Sequence, residues 1–205
     1  MKKIFFSLAI MLIVASQSLS ANNYPFSVGA SISGKMGINA AAVPDGVQNA
    51  LSFAIPDVGI LGYLPMSDES RTGLFVELGY TNSPFGFKGY QENITWYYNQ
   101  KFFTVSPYLL MSGFTVGLDF GFALGGTVKI DGKTTKFDSW NNDLNVNLRV
   151  GGMIPIHTTS VGTLNFIING TYLLTGSDYS GNYTYNPSSL GIGFNYLFNL
   201  ERGGY

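Results

Sequence analysis

The chain has 205 residues, of which 11% are charged and 15% aromatic, with 26 glycines, no cysteine and a formal net charge of −1. Soluble domains carry about 25% charged residues, so something other than water is expected to face much of the folded surface. The charge balance leaves no basic face for nucleic acid, and the lack of cysteine excludes disulfides, a thiol nucleophile and a lipid-carrying cysteine.

Residues 1–21 read as a secretory signal peptide: Lys2 and Lys3, then the apolar "IFFSLAIMLIV", then the small polar run "ASQSLSA". The apolar stretch is shorter than the ~20 residues a spanning helix requires, so a leader cut near Ser20 or Ala21 is expected. Its loss takes two lysines and leaves residues 22–205, with nine basic and twelve acidic groups, formally −3. That length suffices for one domain or one closed sheet. No later run of ~18 uninterrupted apolar residues offers a membrane helix.

From residue 24 onward the pattern has period two, the signature of strands. Eight are predicted, at 24–38, 51–64, 72–82, 96–110, 114–129, 143–155, 162–175 and 188–200. In the third, Leu74, Val76, Leu78 and Tyr80 oppose Gly73, Glu77, Gly79 and Thr81. In the fifth, "FTVGLDFGFALGG" sets Phe114, Val116, Leu118, Phe120, Phe122 and Leu124 against Thr115, Gly117, Asp119, Gly121, Ala123 and Gly125. The sixth sets Leu144, Val146, Leu148 and Val150 against Asn145, Asn147, Arg149 and Gly151, and the eighth sets Leu190, Ile192, Phe194, Tyr196 and Phe198 against Gly191, Gly193, Asn195 and Asn199. Strands in soluble domains cluster near five or six residues; these match the 9–11 that a tilted strand needs to cross a bilayer. Two are assigned from spacing more than pattern: 51–64 carries Pro56-Asp57, a bulge or register change, and 96–110 blurs around Pro107.

Connections alternate in length. Short ones, at 65–71, 111–113 and 155–160, separate strands two and three, four and five, six and seven; long ones, at 39–50, 82–94, 131–143 and 176–187, separate the other pairs. Outer-membrane barrels have short periplasmic turns and longer outer loops. The expected fold is therefore all-β, an eight-stranded antiparallel up-and-down transmembrane β-barrel with both termini periplasmic. Aromatics mark strand ends: Tyr24, Phe26, Tyr63, Tyr108, Phe114, Tyr196 and Phe198 at the periplasmic border, Tyr80, Trp96 and Tyr172 at the outer one.

With bulky faces in hydrocarbon, the small polar faces line the interior. A lone carboxylate in an apolar medium costs several kcal/mol, so Asp119 must point inward. Glu77, Asp119 and Arg149 lie at similar depth, with Asp119 and Arg149 on neighbouring strands and Glu77 reaching across an interior just wide enough for side chains. A buried polar cluster of these three is expected, with Gln100, Asn145, Asn147 and Asn195 as hydrogen-bond partners. So full a lumen argues against a diffusion pore.

Little catalytic or metal chemistry is legible. The single histidine, His157, sits in "PIHTTS", read as a solvated periplasmic turn, and one histidine without cysteine builds no dedicated zinc or copper site. "DGKTTKFDSWNND" lacks the spacing of a calcium loop, and no cofactor is expected. The outer loops are aromatic, with Phe85, Phe87, Tyr90, Trp140, Tyr179, Tyr183 and Tyr185; among these Trp140, Tyr179, Tyr183 and Tyr185 are candidates for binding an extracellular ligand.

"SVGASISGKMGINA" as a first strand, "SPYLLMSGFTVGLDFGFALGG" as a tight central hairpin and "SLGIGFNYLFNL" as a closing strand resemble the bacterial outer-membrane protein β-barrel domain family, the small barrels of the OmpA transmembrane-domain, OmpX and PorT-like kind. The resemblance covers the mature chain. It implies the barrel fold, an outer-membrane location, contact with outer-membrane lipid and with the barrel-assembly machinery, and no particular chemistry. Such barrels end on an aromatic residue, whereas here "ERGGY" follows Phe198 and Leu200, which leaves Tyr205 or Phe198 for that role. The leading expectation is a non-enzymatic barrel, structural or adhesive through its loops, with a plugged lumen. The alternatives are a barrel enzyme acting on envelope lipid and a secreted lipocalin-like binder with its apolar face inside.

Overall fold

Alternation of bulky and small residues satisfies a strand and frustrates a helix, because only the strand separates the two sets onto opposite faces. The computed structural model describes residues 26–43, 45–66, 72–90, 94–138, 144–175, 177–179 and 183–200. The expected leader, Tyr24 and Tyr205 lie outside them. Its strands are β1 (Ser27–Asn39), β2 (Val47–Ala50), β3 (Ser52–Pro65), β4 (Thr72–Gly89), β5 (Thr95–Met111), β6 (Phe114–Ile130), β7 (Lys133–Phe137), β8 (Leu144–Thr158), β9 (Gly162–Leu173), β10 (Ser177–Tyr179), β11 (Tyr183–Tyr185) and β12 (Pro187–Asn199).

Eight of these close a ring, β1–β3–β4–β5–β6–β8–β9–β12 and back to β1, every contact antiparallel and, apart from the closing β12–β1 seam, between ring strands that follow one another in the chain. The closing seam runs from Ser27 opposite Asn199 to Asn39 opposite Pro187. Closure removes the free edges that an open sheet would expose. Tight turns make the sharp reversals. Ser112 and Gly113, both with positive φ, join β5 to β6, and Asp131 and Gly132, also both positive, join β6 to β7, as type I′ hairpin turns demand.

The predicted strands are present, with extensions where loops were expected. β4 continues to Gly89, with Ser83–Lys88 paired to Thr95–Gln100 of β5 and Gly86–Gly89 paired to β2. Phe85 and Phe87, expected in an outer loop, are therefore buried strand residues. The 131–143 connection contains β7 paired back on β6, and the 176–187 connection contains the β10–β11 hairpin. At the other end β8 reaches Thr158, so His157 is an exposed strand residue opposite Leu164 and not a turn residue.

The irregularity of β3 lies where its proline does, whereas that of the β5–β6 ladder lies away from Pro107. Ser33 opposes Asp57 while Lys35 opposes Ala54, so β3 holds one residue more than β1 across Ile55–Pro56, the bulge. The β5–β6 ladder keeps one register across Pro107, with Val105 opposite Phe120 and Tyr108 opposite Gly117, and shifts instead between Lys101 and Phe102, where β6 holds Leu124 as an extra residue.

Burial is opposite to that of a water-soluble domain. Phe53, Ile55 and Ile60 are 68%, 81% and 63% exposed, while Glu77, Gln100, Asp119, Asn145 and Asn195 are buried. The faces thus run contrary to the lipocalin arrangement. Apolar side chains do fill one end of the interior: Leu61, Phe75, Tyr108, Leu110, Met153, Ile167 and Leu197 cluster there with Tyr63 against them. Tyr63 and Tyr108, expected on the outer surface of the border, instead share the inward parity of Phe75 and stack with it. Phe26, Phe114 and Phe198 are exposed.

The β1–β12 seam has no room at Gly193, where a Cβ would run into the Ile32 carbonyl and the Ser33 side chain, whereas at Gly170 the nearest atom lies 3.8 Å away. Gly193→Val is expected to lose ~1–3 kcal/mol of stability to overpacking in urea unfolding, and Gly170→Ala to lose none.

Candidate functional site

Inward parity on four strands brings Ser31 (β1), Glu77 (β4), Asp119 (β6) and Arg149 (β8) to one level of the interior. The Arg149 Nη1 donates to Glu77 Oε2 at 2.8 Å and lies 3.6 Å from Asp119 Oδ1. Ser31 Oγ donates to the other Glu77 oxygen at 2.6 Å. The guanidinium also sits over the Tyr108 ring, 4.5 Å from its centroid, a cation–π contact. Space for this comes from Gly59, where a Cβ would stand 2.6 Å from Glu77 Oε1 and 2.9 Å from Ser31 Oγ.

The three residues expected to cluster are therefore together, with a different order of partners. Adjacency of strands suggested Asp119 as the nearer partner of Arg149, yet Glu77, three strands away beyond β6 and β5, makes the short bond. Gly117 stands opposite Arg149 and Asn147 opposite Asp119, so the two charges are offset along the strands, and the long arginine reaches across the lumen more easily than the short aspartate reaches sideways. The expected amide partners divide. Asn195 accepts from Asn165 at 2.8 Å and faces Met153 Sδ, while Gln100, Asn145 and Asn147 border a small cavity together with Asp119.

A second ionic layer, unread in the sequence, lies nearer the end with the long connections. Lys35 Nζ meets Asp57 Oδ2 at 2.7 Å, and Asp57 Oδ1 accepts both the Asn82 backbone N–H and its side-chain amide at 2.8 Å each. The same Asn82 amide donates to the Pro56 carbonyl at 2.9 Å, and Asn99 donates to Asn82 Oδ1 at 2.9 Å. The Asp57 carboxylate thus takes the N–H of β4 at the place where the bulged β3 leaves the ladder. Lys35 shares the parity of Ser31 and Ser33, which is the signal that marks it; Asp57 shares the parity of Gly59, Leu61 and Tyr63, a face too apolar to read as inward, and the bulge on its other side cuts it off from Ser52 and Ala54.

Aromatic rings flank the two layers. Toward the short connections Tyr63, Phe75 and Tyr108 stack in series, with centroids 4.4 and 4.9 Å apart, beneath a vestibule of about 360 Å³ that Ser27, Leu110, Met153 and Leu197 also line. Toward the long connections Phe85 and Phe87 pack on each other and on Tyr98 and Tyr185, with ring centroids 5.2–6.0 Å apart. Tyr185, a candidate loop-binding residue, is thus part of this inner wall. Tyr179 and Tyr183 oppose each other in the β10–β11 hairpin, and Trp140 lies outside the described residues. Among the described residues no three His, Cys, Asp or Glu side chains converge to hold a metal ion.

Removing one partner of a buried ion pair leaves the other uncompensated, at a cost of ~3–5 kcal/mol. Arg149→Met is expected to lower the temperature at which the barrel loses its structure in detergent, and Glu77→Gln with Asp119→Asn in the same chain to restore most of it. An unchanged midpoint in Arg149→Met contradicts the pairing.

No family model and no curated protein matches the chain. Among solved structures it is similar to Ail, the attachment invasion locus protein of Yersinia pestis in complex with the heparin analogue sucrose octasulfate, at 12% identity over 84% of this chain and 97% of that one, TM-score 0.41. It is similar to Neisserial surface protein A at 12% identity over 83% and 95%, TM-score 0.41, and to the outer membrane protein OprG from Pseudomonas aeruginosa at 11% over 85% and 96%, TM-score 0.33. The architecture of this chain is defined by its own strand pairing, an eight-strand antiparallel ring.

Proposed function

We propose that the protein is a non-enzymatic integral outer-membrane β-barrel, structural or adhesive, with a lumen plugged by its two ionic layers and aromatic walls. One observation carries this reading: bulky apolar side chains stand exposed on every strand of a closed ring whose interior holds its buried charged and amide groups at mid-height. In water such a surface would far exceed the few hundred Å² of contiguous apolar patch that monomers tolerate; in a bilayer it is the required exterior. Outer-membrane lipid and the machinery that inserts barrels are the partners this surface implies.

An even number of crossings puts both ends of the ring on the side of the short connections, which by the usual rule is the periplasm. The long-connection end then faces outward and is where an extracellular ligand would bind, with Trp140, Tyr179 and Tyr183 in its loops. Lys129, Lys133 and Lys136 are exposed on the β6–β7 hairpin at that end and outnumber the exposed Asp131 and Asp138 beside them, a balance that favours an anionic ligand. The exposed His157 lies at the opposite end, away from any reaction at the cell surface.

The chain has no cysteine, so single-cysteine probes are clean. Lys133→Cys is expected to react with a membrane-impermeant maleimide on intact cells, and Ser160→Cys only after the envelope is permeabilised; the reverse result overturns the orientation. Purified protein in planar bilayers is expected to show no stepwise conductance, and steady open-channel steps overturn the plugged lumen. On the outward face, Ile192→Arg near mid-strand is expected to cost ~2–4 kcal/mol in lipid vesicles and Phe198→Arg near the border ~0–1 kcal/mol. Equal costs, or a protein that stays dissolved without detergent, contradict the membrane reading.

A further inference from the structure

The interior ionic layers do not balance. Asp57, Glu77 and Asp119 face Lys35 and Arg149, all five with side chains between 7% and 12% exposed, an excess of one negative charge. Pairing locates the excess. Lys35 is held by Asp57 and by the Asn82 carbonyl at 3.4 Å, and Arg149 gives its short bond to Glu77, whose second oxygen Ser31 occupies. Asp119 is left at 3.6 Å from Arg149, and its Oδ1 receives no hydrogen bond.

A second orphan lies beside it. Asn145 Oδ1, on the neighbouring β8, is buried and also without a donor. Both residues border a cavity of about 20 Å³, together with Gln100, Thr104 and Asn147, enough for a single water-sized occupant. A water molecule there can satisfy both acceptors, yet it leaves Asp119 with only the arginine that Glu77 already engages, in a medium where incompletely paired ions are disfavoured.

We infer that this cavity binds one monovalent cation of about the size of sodium, with the Asp119 carboxylate and Asn145 Oδ1 as principal ligands and the oxygens of Gln100 and Thr104 completing the shell. Hard cations select carboxylate, amide and hydroxyl oxygens, and the cavity wall presents those groups. One positive charge neutralises the interior, whereas a divalent ion overshoots and finds a single carboxylate. Lys35 also borders the cavity, with its ammonium engaged by Asp57. The inference rests on the plugged-lumen reading, since an open, hydrated pore would dissipate the excess charge.

The test is thermal unfolding, followed by β-sheet circular dichroism, of protein refolded into a non-ionic detergent at fixed pH and ionic strength in either sodium chloride or N-methyl-D-glucamine chloride. A cation bound only by the folded state stabilises it by mass action. Sodium is expected to raise the midpoint by several degrees with saturable dependence. Asp119→Asn is expected to fold and to lose that dependence, and Asn145→Leu to shift half-saturation upward by roughly tenfold. Equal midpoints in the two salts overturn the site, as does an Asp119→Asn protein that keeps the sodium response. Conductance reports separately on the plugged lumen, so a sodium-independent protein without channel steps removes the cation site alone.

Discussion

Every backbone N–H and C=O placed away from water has to find a partner, and this chain meets that demand by bringing β12 back onto β1. The antiparallel ring then dictates the remaining chemistry. A closed sheet has two faces and period-two side chains, so the sequence that closes it must also choose which set of residues meets the enclosed space. Here the smaller and more polar set lies inside, and the space is narrow enough that side chains fill it.

Filling the interior with charge makes each ionic group depend on another strand. Glu77, Arg149 and Ser31 tie β4, β8 and β1 together across the lumen, while Lys35, Asp57 and Asn82 tie β1, β3 and β4 at the bulge. The desolvation of such groups is unfavourable, and only complete pairing offsets it. The glycines that crowd the inward faces follow from the same packing: at Gly59 a side chain would occupy the space that the Glu77 carboxylate takes.

Much of this was legible because parity is a strict rule in a strand. Asp119 among phenylalanines and Arg149 among valines and leucines point inward on parity alone, and the structure brings Asp119 and Glu77 to the same arginine. Asp131-Gly132 has the composition of a hairpin turn, yet 131–143 was expected as one long connection, so the return of β7 onto β6 was missed. Parity fails at bulges, and the face that Asp57 shares with Leu61 and Tyr63 is apolar, so its inward direction was not readable, and with it the Lys35 layer. Phe85 and Phe87 sit in a run rich in glycine and polar residues that looks like a loop; only their pairing with β5, a long-range interaction, makes them strand. Which partner Arg149 prefers depends on reach across the lumen, a three-dimensional quantity absent from one-dimensional spacing.

The Arg149–Glu77 bond spans 72 residues of chain, and this separation bears on biogenesis. A nascent sheet made of the first four ring strands holds Glu77 without its cation, so its concave side stays wet and has reason to remain unrolled. Delivery of β8 supplies the missing counter-charge and with it the incentive to curl shut. The placement of one arginine late in the polypeptide thereby discourages a smaller, prematurely rolled cylinder and favours the eight-membered one.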